Sequence, residues 1–251
     1  MTESGEEILA GLRLSHLDTR LVGRHIEAKP LVASTNNLAL RHGDHGTVFL
    51  AEQQLAGRGR HGNTWHAPPG LGLMFSVALD MPSRDLMFAG ALAVRDAIRP
   101  QLELTVKWPN DLLYAKKKIC GILVEHRAGR SALGIGFNVL HGAEDFPPSL
   151  QDKATSLRLE TNCDWDRGEV LARLLRALDH YIERVAQGHS RAVHAEWVQA
   201  CALVGRHITR EQVSGQVREI ARDGALLIET LEGLRRVTAG GIQVADQLGA
   251  S

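Results

Sequence analysis

The 251-residue sequence predicts an α+β protein, a mixed sheet flanked by helices with a small C-terminal β-barrel, on two observations. Up to about residue 203, strand-like and helix-like periodicities are interspersed; beyond it only short β runs remain, separated by Gly and polar turns. That change of character sets the expected domains at 1–203 and 204–251. In chain order, residues 71–79 are a largely apolar run suited to a buried strand, and 86–98 an Ala-rich helical stretch closed by Arg99-Pro100. Leu102, Leu104 and Val106 alternate with Glu103, Thr105 and Lys107, so a strand there buries the first set and turns Lys107 to the opposite face. Residues 112–114 and 119–124 flank the polar Ala115-Lys116-Lys117-Lys118 and read as a hairpin whose lysines form a solvated turn. A further strand, interrupted by glycines, covers 132–140, and Val170, Leu174, Leu178, Tyr181 and Val185 mark an amphipathic helix over 166–185 that should cover one sheet face. The runs 204–209, 216–220, 225–229, 235–238 and 242–244 then suggest the small barrel.

Lys plus Arg (29) equals Asp plus Glu (29), which removes the global basic excess expected of a protein whose partner is nucleic acid. Cys120, Cys163 and Cys201 are odd in number, widely spaced and free of any C-x-x-C pair, as reduced thiols in a cytosol would be. The start, Met1-Thr2-Glu3-Ser4-Gly5-Glu6-Glu7, is acidic and unlike a signal peptide, and no run approaches the ~20 apolar residues of a membrane helix. A cytoplasmic protein without membrane contact is expected. None of the histidines shows a metal-ligand spacing, so no metal site is expected, and His61 and His66 belong to loop structure.

Three segments carry chemistry. In Gln54-Leu55-Ala56-Gly57-Arg58-Gly59-Arg60-His61-Gly62-Asn63-Thr64-Trp65, glycines that admit close backbone approach interleave with guanidinium groups, which makes a loop suited to gripping an anion. Gly57, Gly59 and Gly62 also satisfy the dinucleotide fingerprint, with Asp80 where a ribose acid would stand, but Pro68-Pro69-Gly70 prevents the helix that fingerprint requires. In Val106-Lys107-Trp108-Pro109-Asn110-Asp111, a strand-end lysine is a compact charge for stabilising negative oxygens. Ser34-Thr35-Asn36 reads either as a helix cap or as a polar set for a ureido or amide group.

Together with Lys118-Ile119-Cys120-Gly121-Ile122-Leu123-Val124-Glu125 and Gly134-Ile135-Gly136-Phe137-Asn138-Val139, these segments resemble the biotin protein ligase family over residues 20–245. The resemblance implies a catalytic fold like that of class II aminoacyl-tRNA synthetases and of biotin and lipoate ligases, with a Src-homology-3-like C-terminal barrel. It implies activation of biotin by ATP with Mg2+ and transfer to a lysine of a biotin carboxyl carrier protein. Position by position, Ser34, Thr35, Asn36 and Gln54 would contact biotin. Arg58, Gly59 and Arg60 would close over biotin and the adenylate phosphate, and Lys107 would be the central catalytic lysine, with Arg58 and Arg60 also catalytic. Gly121, Gly134 and Gly136 would let backbone lie against the ligand, Trp65 would wall the nucleotide pocket and Asn138 would sit near the nucleotide. The chain departs from the family at Thr238-Ala239-Gly240-Gly241-Ile242, where relatives show an acidic residue after the last glycine. The short stretch before the match implies a ligase without the DNA-binding module of bifunctional relatives, monomeric or homodimeric. Lipoate protein ligase and a non-catalytic biotin or adenylate-binding regulator are the alternatives.

Overall fold

The computed structural model describes residues 4–12, 14, 17–62, 64–81, 84–238 and 240–244. Met1-Thr2-Glu3, Asn63 and Ala239 of the segments discussed above lie outside them. Along the chain come α1 (Gly5–Leu12), β1 (Ile26–Val32), α2 (Thr35–Arg41), β2 (Val48–Gln54), β3 (Gly72–Leu79), α3 (Leu86–Ile98), β4 (Thr105–Lys107), β5 (Asp111–Tyr114), β6 (Lys117–Arg127) and β7 (Arg130–Asn138). The seven strands form one mixed sheet in the order β1-β2-β3-β7-β6-β5-β4. Only β1 and β2 run parallel, joined through α2; the other pairs are antiparallel. Helices α4 (Leu157–Thr161), α5 (Arg167–Ala186) and α6 (Ser190–Cys201) follow.

Strand β3 is buried on both faces, which is why it reads as an unbroken apolar run. Leu73, Phe75, Val77 and Leu79 belong to the main core, as do most of the buried apolar side chains of α3, α5 and α6. The other face of β3 and its neighbour β7 carries Ser76, Ala78, Ala132, Gly134 and Gly136, small residues brought together by the Ser76–Gly134 and Ala78–Ala132 pairings. Helix α2 lies there, with Ala39 packed beside Phe49, Ala78 and Ala132. The expected helices over 86–98 and 166–185 are present as α3 and α5, the latter capped by Asp166, whose carboxylate accepts from Gly168 N at 2.7 Å and Glu169 N at 3.3 Å. The expected strand through 102–107 is shortened to β4 because its partner β5 supplies a ladder only from Thr105, yet Leu102, Leu104 and Val106 are all buried as the alternation requires. Strands β1 and β2 were not anticipated. Pro30 interrupts the β-like pattern of β1 and is accommodated because β1 is an edge strand.

The C-terminal strands β8 (His207–Arg210), β9 (Val213–Ile220), β10 (Leu226–Thr230), β11 (Gly233–Val237) and β12 (Gln243–Val244) form a second sheet in the order β11-β10-β9-β8-β12. Among the described residues β11 and β12 are not paired with each other, so the sheet is open where a barrel would close. Its turn after β9 docks on the first unit: Ala221 O meets His194 Nε2 at 3.0 Å, and Arg222 reaches Ser190 O at 3.0 Å and Asp85 at 3.2 Å.

His141, just beyond β7, is wholly buried, stacks on Phe146 at 5.1 Å between ring centroids, and has no hydrogen-bond partner among the described residues at either ring nitrogen. Burial pushes its pKa down to about 4 from 6.5, against the opposing charge of Asp145 and with a smaller contribution from His66. The unfolded chain therefore takes up this proton first. The stability contributed by the neutral imidazole is whole above pH 6.5 and is lost as pH falls from there to about 4. Urea denaturation should show that His141→Leu removes on the order of 3 kcal/mol of the parent's acid-side loss between pH 7 and 4; an identical acid limb in both proteins would contradict this.

Candidate active site

A cavity of about 270 Å3 opens over the small-residue face of the sheet, at the N-terminus of α2. Ser34 stands at the N-cap position of α2 with extended backbone, but its side chain makes no cap bond. The cap function passes to Gln54, whose Oε1 takes Thr35 N at 2.7 Å and the Thr35 hydroxyl at 3.2 Å. Ser76 Oγ lies 2.7 Å from Thr35 Oγ1 and donates to Asn36 Oδ1 at 2.6 Å. Asn36 Nδ2 donates to Glu125 at 2.7 Å and to Leu123 O at 3.3 Å. Ser34, Thr35 and Asn36 are all buried, so these bonds hold a fixed polar surface.

The loop after β2 returns on itself through the Arg58–Thr64 bridge and the Trp65 N to Gly57 O bond of 3.1 Å. Arg58 Nη2 is held by Asn37 Oδ1 at 2.8 Å and by both oxygens of Glu125 at 3.1 and 3.2 Å. Arg60 is half-buried; burial lowers its pKa from the ordinary guanidinium value and Asp111 opposes the shift. A cation so desolvated, with one carboxylate nearby, gains from a further anion. Trp65 lies across the cross-strand pair Gly121 and Gly136: a Cβ on Gly121 would come within 2.9 Å of the indole, and one on Gly136 within 2.4 Å of it. A Cβ on Gly134 would strike the Asn36 amide. The room above these three glycines is thus taken by Trp65 and Asn36. The Trp65 indole N–H has no hydrogen-bond partner among the described residues.

Lys107 ends β4 with an exposed side chain and, among the described residues, no ion-pair partner. The turn behind it, which contains a cis Trp108–Pro109 bond, is fixed on two sides. Trp108, 2% exposed, donates from Nε1 to Gly224 O of the second sheet at 2.7 Å. Asn110 donates to Ile122 O at 2.6 Å and accepts from Ile122 N at 3.0 Å.

Ser34, Thr35, Asn36, Gln54, Arg58, Gly59, Arg60, Trp65, Lys107, Gly121, Gly134 and Gly136 all line this one cavity, with Gly240 and Gly241. Asn138 does not line it: its Nδ2 donates to Thr155 O at 2.9 Å, and its buried Oδ1 is unpaired among the described residues. The lysine run is not simply a solvated turn. Ala115 and Lys116 make the turn at positive φ (46° and 70°), whereas Lys118 points into the cavity, 2.7 Å from Asp111 and 5.3 Å from the Trp65 ring centroid. The cause is a bulge: Leu112 pairs with Cys120 but Leu113 with Lys118, so Lys118 and Gly121 share a face despite their odd spacing. Glu125 was also missed, although alternation from Gly121 through Leu123 puts it on the same face.

Residues 29–140 match the family model described as the Biotin/lipoate A/B protein ligase family. The chain is similar to the bifunctional ligase/repressor BirA of Bacillus spizizenii, 30% identical over 96% of this chain and 79% of that protein. It is similar to the biotin–[acetyl-CoA-carboxylase] ligase of Mycobacterium tuberculosis, 35% identical over 71% of this chain and 70% of that protein. Among solved structures, the biotin protein ligase of Aquifex aeolicus in complex with biotin and ATP superposes with a TM-score of 0.76 at 27% identity, covering 88% of this chain and 98% of that one.

Because a methyl group at residue 136 has no room beneath Trp65, Gly136→Ala should cost about 1–3 kcal/mol and displace the indole. Denaturant titration with tryptophan emission measures both; unchanged stability and emission would contradict the packing described.

Proposed function

The chain belongs to the biotin protein ligase family, and we propose that it converts biotin and ATP to biotinyl-5′-adenylate and then biotinylates a lysine of a biotin carboxyl carrier protein. One observation carries this reading: a single cavity is lined both by a neutral hydrogen-bonding set, buried but for the half-buried Gln54, and by Arg58, Arg60 and Lys107. The neutral set, Ser34, Thr35, Asn36 and Gln54, matches a ureido head group, which offers N–H donors and a carbonyl acceptor without charge. The cations match what meets at the other end of the ligand, a carboxylate and a triphosphate.

In the first half-reaction a biotin carboxylate oxygen attacks the α-phosphorus, the bond to the bridging oxygen breaks, and pyrophosphate leaves. Two anions must approach, so the barrier is largely electrostatic. Lys107, exposed at a strand end and without a carboxylate partner among the described residues, and Arg60, partly desolvated, are suited to lower it. Magnesium belongs to this scheme on the nucleotide's phosphates, Asp111 being the one carboxylate among the lining residues and already bonded to Lys118. Trp65 offers a flat wall, and Asn138, although outside the cavity lining, is assigned to the nucleotide side on the family resemblance; its buried amide oxygen is unpaired among the described residues. In the second half-reaction the neutral amine of the acceptor lysine attacks the acyl carbon, AMP leaves and a proton is released. Residues 57–65, rich in glycine, would cover the mixed anhydride in between and keep water away.

We assign residues 1–203 to the catalytic domain and 204–251 to a smaller C-terminal domain. Balanced charge supports a partner set without nucleic acid, and no helix among the described residues is long and apolar enough to cross a membrane.

Pyrophosphate release with biotin and ATP, and none with lipoate, is the expected outcome; release with lipoate alone would replace the substrate. Lys107→Ala should slow adenylate formation ~10²–10³-fold, and a near-parental rate in a stopped-flow assay would remove Lys107 from its role. Arg60→Gly should release biotinyl-adenylate into solution and biotinylate lysines without selectivity, measured by blotting a bystander protein; retention equal to the parent's would contradict the covering role of the loop.

A further inference from the structure

We propose that Glu125 is a positioning residue that sets the direction of the head-group hydrogen-bond network and at the same time holds the Arg58 side of the loop, so that the two halves of the site are ordered together. The inference rests on the ligase reading above and adds a residue to it. Glu125 lies on the cavity face of β6, opposite Ala132, and joins two elements remote in sequence: its carboxylate takes Asn36 Nδ2 at 2.7 Å and Arg58 Nη2 at 3.1 and 3.2 Å.

The argument is one of donors and acceptors. A carboxylate only accepts, and so does the backbone oxygen Leu123 O, the second partner of Asn36 Nδ2 at 3.3 Å. Two acceptors on one side fix the Asn36 amide with its nitrogen toward β6 and its oxygen toward Ser76. Ser76 has one proton, and at 2.6 Å from Asn36 Oδ1, an acceptor, that proton is committed there. Ser76 Oγ can then only accept from Thr35 Oγ1, 2.7 Å away, so the Thr35 hydroxyl donates to Ser76 in preference to Gln54 Oε1 at 3.2 Å. With Gln54 Oε1 also taking Thr35 N at 2.7 Å, the Gln54 amide is oriented and its Nε2 donors are left for a ligand. The orientations of Asn36, Ser76 and the Thr35 hydroxyl follow one from another, and that series begins at the only anion in it, while the Thr35 backbone N–H orients Gln54 independently. The same anion engages Arg58 through one nitrogen, Nη2, leaving Nε and Nη1 without a hydrogen-bond partner among the described residues and able to meet a phosphate.

Glu125→Gln keeps the shape, but the new amide can donate as well as accept. Asn36 is then held in its orientation by Leu123 O alone, at 3.3 Å, and Arg58 loses its counter-charge. In the full-length chain this variant is expected to raise KM for biotin at least tenfold with kcat for pyrophosphate release changed less than threefold. It should shorten the residence of biotinyl-adenylate at least fivefold and raise amide hydrogen exchange at Arg58 and Gly59 in the absence of ligand. Glu125→Asp, which keeps an acceptor-only group, should recover adenylate residence in part; it also serves as the reading variant if Glu125→Gln fails to fold, then giving a raised biotin KM with a smaller loss of residence. A residue serving stability alone would lower Tm and leave the biotin KM and the loop exchange of the folded protein as in the parent. That result, in either folded variant, overturns the assignment of Glu125. A parent that takes up no biotin sinks the ligase reading and this inference with it, whereas a parent that binds biotin beside an unaffected variant sinks only the role of Glu125.

Discussion

The site depends on a single steric constraint: one face of the sheet, where β3, β6 and β7 adjoin, is made mostly of Gly, Ala and Ser, with Met74, Leu123 and Glu125 as its larger side chains. Ser76, Ala78, Ala132, Gly134, Gly136 and Gly121 fall there through the register of the ladder, and their smallness brings α2 and the indole of Trp65 down onto the backbone. A larger residue at Gly134 or Gly136 would collide with Asn36 or Trp65, which are the groups that shape the cavity. The opposite faces of the same strands carry Leu73, Phe75, Leu133, Ile135 and Phe137 into the main core. One alternation therefore supplies both the stability of the sheet and the space for a ligand.

Electrostatics are layered onto that floor. Each cation of the cavity has a different environment: Arg58 is tied to Glu125, Arg60 is partly desolvated, Lys118 is paired with Asp111, and Lys107 is exposed and unpaired among the described residues. The strand-end turn bearing Lys107 is held at once by the first sheet, through Asn110 and Ile122, and by the second, through Trp108 and Gly224. The C-terminal sheet thus takes part in fixing the lysine, and Gly240 and Gly241 bring its end to the cavity. Gly241 contributes backbone alone to the cavity.

Much of this was legible in the sequence for local reasons. Strand β3 and helices α3 and α5 have strong periodic signals and clear ends, and the residues chosen for the site stand in motifs whose chemistry is local: glycine beside arginine, lysine at a strand end, three small polar groups before a helix. What escaped notice is non-local. Strand β1 is hidden by Pro30, tolerable only at an edge, and edge position follows from tertiary pairing. Lys118 passed for a solvated lysine because a one-residue bulge, invisible in a period-two reading, turns it inward. Glu125 needed the knowledge that Arg58 and Asn36, 67 and 89 positions away, converge on it. The small C-terminal β unit expected from five short runs is present as five strands, and strand number by itself does not fix whether the last strand meets the first edge.

The most direct test of a shared site for a neutral head group and an anionic tail is isothermal titration calorimetry of biotin into the purified chain. A saturable heat near one equivalent, tightened when a non-hydrolysable ATP analogue is present, is the predicted result. A flat titration under both conditions would contradict the account.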